Sequence, residues 1–282
     1  MAIEILTELD ELFERLDNTR RAGGRVGLVP TLGALHGGHG SLIEAARRSD
    51  ELVVVSVFLN PTQFSDPADF AAYPRDLAAD AALAAAAGAD LVFAPARAVL
   101  YPSGEPEVTV DPGPLGEILE GASRPGHFRG VATIVAKLFA IFSPSRAYFG
   151  EKDFQQLTVV KRIASGLSLR VEVVPCPTVR AVDGLALSSR NARLSPQERA
   201  AATVLHRALE AGRNRLEAGV SPSAAEAEMA RIFALEPLAD LDYAVVRDAA
   251  TLGPPGPWPL RLLAAARVGP VRLIDNLAGP SR

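Results

Sequence analysis

Short, nearly continuous apolar runs alternate along the chain with segments whose apolar positions recur every three or four residues. Val26 to Pro30, Leu52 to Asn60 and Leu91-Val92-Phe93-Ala94 are runs of the first kind and predict buried strands. Thr7 to Ala22, Gly38 to Ser49 and Ala71 to Gly88 predict helices between them. The last is so rich in alanine that it reads as a solvated crossover, its composition reflecting helix propensity and not function. A helix over Val131 to Phe142, a strand over Arg146 to Phe149 and a strand over Val171 to Cys176 continue the series. Such alternation predicts right-handed βαβ units, a parallel sheet, and ligands beyond the C-terminal ends of the strands.

The pattern changes after Ser195-Pro196-Gln197-Glu198, a helix start with serine at the cap and glutamate three residues on. Helices over Pro196 to Gly212 and Pro222 to Leu235 precede strands near Leu241 to Arg247, Leu262 to Val268 and Val271 to Ile274. This predicts a second, smaller α+β domain beginning near residue 178. Gly253-Pro254-Pro255-Gly256-Pro257-Trp258-Pro259 reads as a rigid loop without evident chemistry.

With 282 residues, 48% of them hydrophobic, the chain can bury a sizeable core in about two domains. Its 33 acidic residues outnumber 29 basic ones, which favours small-molecule chemistry over a nucleic acid partner. A single cysteine, Cys176, excludes an intrachain disulfide. The start, Met1 to Leu6 and then the acidic stretch Glu8 to Asp17, has neither the basic region nor the apolar core of a secretion signal. The most apolar run falls far short of the ~20 residues a bilayer needs, so no membrane span and a cytoplasmic location are expected.

The chemistry concentrates where predicted strands end. After Val29, the segment Pro30-Thr31-Leu32-Gly33-Ala34-Leu35-His36-Gly37-Gly38-His39 places two histidines three residues apart in the first turn of a helix. Residues so spaced share a face, and the N-terminal amides and helix dipole attract phosphate. Imidazoles there could stabilise charge on the α-phosphate of a nucleoside triphosphate during adenylyl transfer. Taken alone, the pair also fits a helix cap with a surface histidine, or half a metal site. The remaining histidines, His127 and His206, lie in no short ligand cluster, so no zinc pattern is completed. Asn60-Pro61-Thr62-Gln63-Phe64 follows the next strand and should face the same cleft.

After Phe149, Gly150-Glu151-Lys152-Asp153 offers close backbone approach, a mobile cation and a carboxylate to orient it; alone it also reads as a solvated ion-pair turn. Thr178 to Asn191 has the form of a hairpin turning at Asp183-Gly184. It would present Ser188, Ser189 and Arg190 to a phosphate, or form only an edge hairpin with a surface arginine. His206 reads as a packing or surface histidine.

Taken in order, these blocks resemble the pantothenate synthetase family, the pantoate–β-alanine ligases of vitamin B5 synthesis within the nucleotidyltransferase superfamily. The resemblance rests on Val29 to His39, on Phe58 to Phe64 with Tyr73-Pro74-Arg75, and on Arg124-Pro125-Gly126-His127-Phe128 with Gly130-Val131. Tyr148 to Gln156 and Asp183 to Asn191 complete it. Leu32 and Leu187 replace methionines usual in the family, a change of similar volume. Gly37 and Gly40 stand where the family usually has an acidic and a larger apolar residue, which should loosen the first helical turn.

The resemblance implies a Rossmann-like parallel-sheet domain over residues 1–177 binding nucleotide and pantoate, and a smaller α+β lid domain over 178–282. It also implies ATP-dependent condensation of (R)-pantoate with β-alanine through a pantoyl adenylate, giving pantothenate, AMP and pyrophosphate, with Mg2+ on the triphosphate. His39, His36, Lys152 and Arg190 would be catalytic, His39 as proton donor. ATP would contact Leu32, Gly33, Ala34, Leu35, His36, Gly37, Gly38, His39, Gly150, Glu151, Lys152, Asp153, Val179, Leu187, Ser188, Ser189 and Arg190. Gln63 and Gln156 would hydrogen-bond pantoate, and Gln63 would also lie near β-alanine. The family implies a homodimer. Two other classes of function stay open on the residues alone: another adenylyl-transfer enzyme of the superfamily, and a catalytically silent ATP-binding protein suggested by Gly37 and Gly40.

Overall fold

The computed structural model describes residues 3–256 and 259–280. Two compact units emerge, Met1–Glu151 with Gln155–Pro177, and Lys152–Phe154 with Thr178–Arg282. The short segment around Lys152 therefore groups with the second unit although it directly follows a strand of the first.

In the first unit the strands are β1 (Glu4–Leu6), β2 (Val26–Thr31), β3 (Leu52–Val57), β4 (Leu91–Phe93), β5 (Ser145–Gly150) and β6 (Val171–Cys176). They form one six-stranded sheet in the order β1-β4-β3-β2-β5-β6. Every pairing is parallel. The helices are α1 (Leu9–Arg21), α2 (Gly37–Arg47), α3 (Pro67–Ala71), α4 (Leu77–Ala86), α5 (Arg97–Leu100), α6 (Glu120–Ser123), α7 (His127–Phe142) and α8 (Phe154–Gly166). Ile43 and Ala46 of α2 pack with Val29, Val53, Val55 and Val92 of the sheet, all with no exposed surface. Leu28 and Val54, on the opposite face, are equally buried, and burial on both faces is why β2 and β3 are largely apolar. The strand order reverses between β2 and β5, so loops following these strands lie where open parallel sheets bind ligands.

Several boundaries differ from expectation. β1 is an unpredicted edge strand: it is three residues long, and Glu4 and Ile5 are exposed. The helix predicted over Ala71 to Gly88 begins only at Leu77, where Asp76 caps α4 by accepting from Ala79 N–H at 3.0 Å. Nor is α4 a merely solvated crossover, for Asp80, Ala81 and Ala84 are buried. α7 starts at His127, just after Gly126 adopts φ 79°.

The second unit holds α9 (Pro196–Ala201), α10 (Val204–Glu217) and α11 (Pro222–Phe233), and an antiparallel sheet β7-β8-β9 (Ala239–Asp248, Leu260–Val268, Val271–Ala278). Leu205, Ala208 and Leu209 of α10, Met229 and Phe233 of α11, and Leu262, Ala264 and Ala266 of β8 form its core. The single helix predicted over Pro196 to Gly212 is two. At the break Thr203 Oγ1 donates to Ala200 O at 2.7 Å, a side-chain bond that competes with the helical ladder. The predicted hairpin over Thr178 to Asn191 pairs through one bridge, Arg180 with Ala186, flanked by Leu187 N–H to Val179 O and Ala181 N–H to Leu185 O, each 2.9 Å. Pro257 and Trp258 of the predicted rigid loop lie outside the described residues. Among the described residues, no helix is long and apolar enough to cross a membrane.

Candidate active site

The loop after β2 carries consecutive left-handed residues, Gly33 at φ 87° and Ala34 at φ 52°. Such a conformation is costly for alanine and persists only where surroundings hold it. Here the carboxylate of buried Asp80 accepts from Ala34 N–H at 3.0 Å and Leu35 N–H at 2.7 Å. A Cβ on Gly33 would stand 2.9 Å from Asp80 Oδ2, so glycine is what lets the loop close on that carboxylate. Tyr73 Oη adds a bond to Gly33 O at 3.4 Å.

Immediately afterwards His36 is the cap of α2, in extended conformation, and His39 is the third helical residue. Only His39 therefore lies within the helical turn, and His36 stands at its threshold. Gly38 N–H donates to His36 Nδ1 at 3.1 Å, and His36 N–H donates to His39 Nδ1 at 3.3 Å. The ring centroids are 4.2 Å apart. An Nδ1 that accepts carries no proton, so each neutral ring holds its proton on Nε2 as a donor. The amides expected to attract an anion are thus partly occupied by side chains.

After β3, Asn60 is fully buried and uses its whole amide. Its Nδ2 donates to Gln63 Oε1 and to Gly130 O, each at 3.1 Å, while its Oδ1 accepts from Thr62 Oγ1 at 3.0 Å and Tyr101 Oη at 3.2 Å. Burial pushes the Tyr101 phenol up to about 12, so it donates at neutral pH. Because Asn60 occupies Gln63 Oε1, the Nε2 end of Gln63 is the one that can meet a carboxylate or hydroxyl. The Gln63 backbone is also gripped: its carbonyl accepts from His127 Nδ1 at 2.7 Å and Arg124 at 3.3 Å. α7 approaches this turn so closely that a Cβ on Gly130 would lie 2.3 Å from Thr62 O.

The two adjacent glutamines of α8 differ. Gln155 is buried, donating to Leu115 O and Ile118 O at 2.8 Å and accepting from Glu120 N–H at 3.0 Å. Gln156 is only half-buried, and its amide has no hydrogen bond to another described residue.

In the second unit Lys152 Nζ lies 3.7 Å from Asp153 Oδ1, and Asn276 Nδ2 donates to the Lys152 carbonyl at 2.7 Å. Ser188 caps a 3-10 turn over Ser189–Arg193, accepting from Arg190 N–H at 3.3 Å, and Asn191 Nδ2 donates to Ala186 O at 3.0 Å. Val179 and Leu187 are joined in the hairpin. Leu32 to His39, Gln63, Gly150, Glu151 and Gln156 belong to the first unit; Lys152, Asp153, Val179 and Leu187 to Arg190 belong to the second. Cys176 is buried and its thiol is raised to about 11 by that burial, which keeps it protonated at neutral pH.

Asp80, Asn60 and His127 are the contributors the sequence pattern does not single out. For Asp80 the available signal is one acid on the buried face of an otherwise apolar ten-residue helix. Asn60 and His127 lie within motif blocks, yet only the fold shows that both converge on Gln63.

The model of pantoate-beta-alanine ligase matches residues 4–278. The chain belongs to the pantoate–β-alanine ligase family. A pantothenate synthetase from Rubrobacter xylanophilus is 54% identical, covering 97% of this chain and 96% of that protein. Among solved structures, the pantothenate synthetase of Thermus thermophilus superposes with TM-score 0.92 at 47% identity, covering 99% of this chain and all of that one. The pantoate–β-alanine ligase of Francisella tularensis, determined with β-γ ATP and β-alanine, gives TM-score 0.80 at 33% identity over 99% of this chain and 100% of that one. The family-level expectations of a parallel α/β sheet and a ligase thus hold.

Proposed function

We propose that this chain joins pantoate to β-alanine at the expense of ATP, through a pantoyl adenylate. Membership of the ligase family supports the reaction, and the observation that carries the local mechanism is the pair of histidines fixed at the start of α2 by backbone amides that donate to both Nδ1 atoms. In the first step a pantoate carboxylate oxygen bonds to the α-phosphorus and the bond to pyrophosphate breaks. Negative charge grows on the phosphoryl oxygens, and fixed donors meeting it are worth most because they need no reorganisation. His36 and His39 supply such donors, His39 donating a hydrogen bond from Nε2 to a phosphoryl oxygen and keeping its proton. Lys152, Ser188, Ser189 and Arg190 are the further phosphate-binding groups, with Leu32 to Leu35, Gly37, Gly38, Gly150, Glu151, Asp153, Val179 and Leu187 completing the nucleotide contacts.

In the second step the β-alanine amine bonds to the acyl carbon, AMP leaves, and the ammonium proton is lost. Gln63 and Gln156 orient pantoate; neutral amides do so without pairing away the nucleophile's charge. ATP enters as its Mg2+ complex. Residues 178–282 act as a lid domain, since the adenylate is prone to hydrolysis. The working form is a cytoplasmic homodimer in the route to vitamin B5, and light scattering of the purified protein measures that assembly.

Pyrophosphate release from ATP and Mg2+ with pantoate alone, followed by AMP formation on adding β-alanine, tests both half-reactions. Both signals are expected. Silence with pantoate but turnover with another acid or a nucleotide would favour a different adenylyl transfer, and a Gln63→Ala protein that uses pantoate normally would remove Gln63 from the site.

A further inference from the structure

The C-terminal sheet holds buried polar groups on both of its faces where apolar residues would suffice. Asp275 and Asn276 of β9 are each 3% exposed and Arg261 of β8 is 7% exposed. Buried polar groups of this kind are not needed for stability, since well-packed apolar residues serve as well, and they are tolerated only when fully partnered.

The partners form one pattern. Asn276 Nδ2 donates to Lys152 O at 2.7 Å, and its Oδ1 accepts from Arg261 Nε at 2.6 Å. The Arg261 guanidinium lies 4.0 Å from the centroid of the Phe154 ring. The segment 152–154 is thus held at its first residue by Asn276 and at its last by Arg261. On the other side Arg180 forks onto the Asp275 carboxylate at 2.6 and 2.9 Å, and also donates to Gly184 O at 2.9 Å and Asn276 O at 3.3 Å. Arg180 opens the hairpin whose return arm runs into Ser188, Ser189 and Arg190. One dipeptide therefore grips the segment that carries Lys152 and the hairpin that leads to Arg190, across 124 residues of sequence in the case of Lys152.

We propose that Asp275-Asn276 is a positioning pair, Asn276 setting the Lys152 backbone and Asp275, through Arg180, setting the arm that carries Ser188 to Arg190, so that these groups are presented to the phosphates as one preassembled set. The inference rests on the reading of Lys152 as a phosphate-binding cation. Its chemical content is orientation: small displacements of a group serving a charged transition state cost rate far out of proportion to their effect on folding.

Asn276→Asp is the sharpest variant. It keeps the Oδ1 acceptor for Arg261 and nearly the same volume, but replaces the donor to Lys152 O with an oxygen. Asn276→Ala serves as the second variant should the first fail to fold. Each is compared with wild type, with Lys152→Ala and with the double mutant, reading pantoate-dependent pyrophosphate release at saturating ATP together with the thermal midpoint. Lys152→Ala is expected to lower the rate about 100-fold and Asn276→Asp about 10-fold or more, while in the Lys152→Ala background Asn276→Asp adds less than about 2-fold, because its effect passes through the lysine. A rate for both folded Asn276 variants within about 2-fold of wild type overturns the inference, as does a loss that multiplies in full with that of Lys152→Ala. A harmless Lys152→Ala would sink the reading of Lys152 itself, and the inference with it. Asp242→Asn, on the exposed ion pair with Arg272, is the control that should leave the rate unchanged.

Discussion

The histidine loop and the lysine loop both follow a parallel strand, and they are held in different ways. The first is anchored within its own unit: Asp80 takes two successive backbone amides, and His36 and His39 complete the helix start with their own rings. The second leaves β5 but is gripped by β8 and β9 through Asn276 and Arg261. A strand end gives a loop its address; a buried polar residue remote in sequence gives it its orientation. Asp80 lies 46 residues from Ala34, and Asn276 lies 124 residues from Lys152.

The largest expected effect breaks the histidine side of this comparison. His39→Ala should lower pantoate-dependent pyrophosphate release by about 100- to 1,000-fold, the range for losing one preorganised donor, and should cost about 1 kcal/mol of stability for the lost bond to the His36 amide. Stopped-time pyrophosphate assays and thermal melting separate the two. Next comes Gly130→Ala, which drives a methyl group against the Thr62 carbonyl at 2.3 Å and the Gln63 amide nitrogen at 2.6 Å. Backbone atoms cannot move aside cheaply, so a loss of about 1–3 kcal/mol in urea unfolding and a higher KM for pantoate are expected.

Gly40→Ala is expected to go the other way. Its Cβ would meet nothing closer than 3.9 Å, so the helix should gain about 1 kcal/mol, and an unchanged KM for ATP would show that Gly40 does not loosen the nucleotide loop. The smallest effect concerns His206. Burial first, and Arg180 second, hold its pKa below the usual 6.5, against opposing pulls from Glu210 and Asp275. The folded ring is neutral where the unfolded one takes up a proton, so this group removes stability as pH falls through 6.5 and below. His206→Gln should flatten that part of the stability profile, as read from melting between about pH 8 and 5.

The sheet was visible in sequence because strands buried on both faces are continuous apolar runs, as in Val53 to Val55. β1 was not, being three residues with two of them exposed. The candidate groups were visible as polar motifs at strand ends, two of them, Leu32 to His39 and Gly150 to Asp153, pairing glycine with a polar side chain. Their supports were hidden for a physical reason: Asp80 and Asn276 act through backbone amides and carbonyls, which leave no complementary residue type to recognise. Helix propensity conceals the first among alanines, and strand alternation accounts for the second without any partner.

Asp80→Ala tests most directly whether the histidine loop is oriented from afar. The variant is assayed for pyrophosphate release at saturating ATP and pantoate, at a temperature where circular dichroism shows it folded. The account predicts a rate lowered about 10-fold or more, because an unanchored Gly33-Ala34 turn lets His36 and His39 drift from their positions at the start of α2. A folded Asp80→Ala protein turning over at the wild-type rate would contradict it.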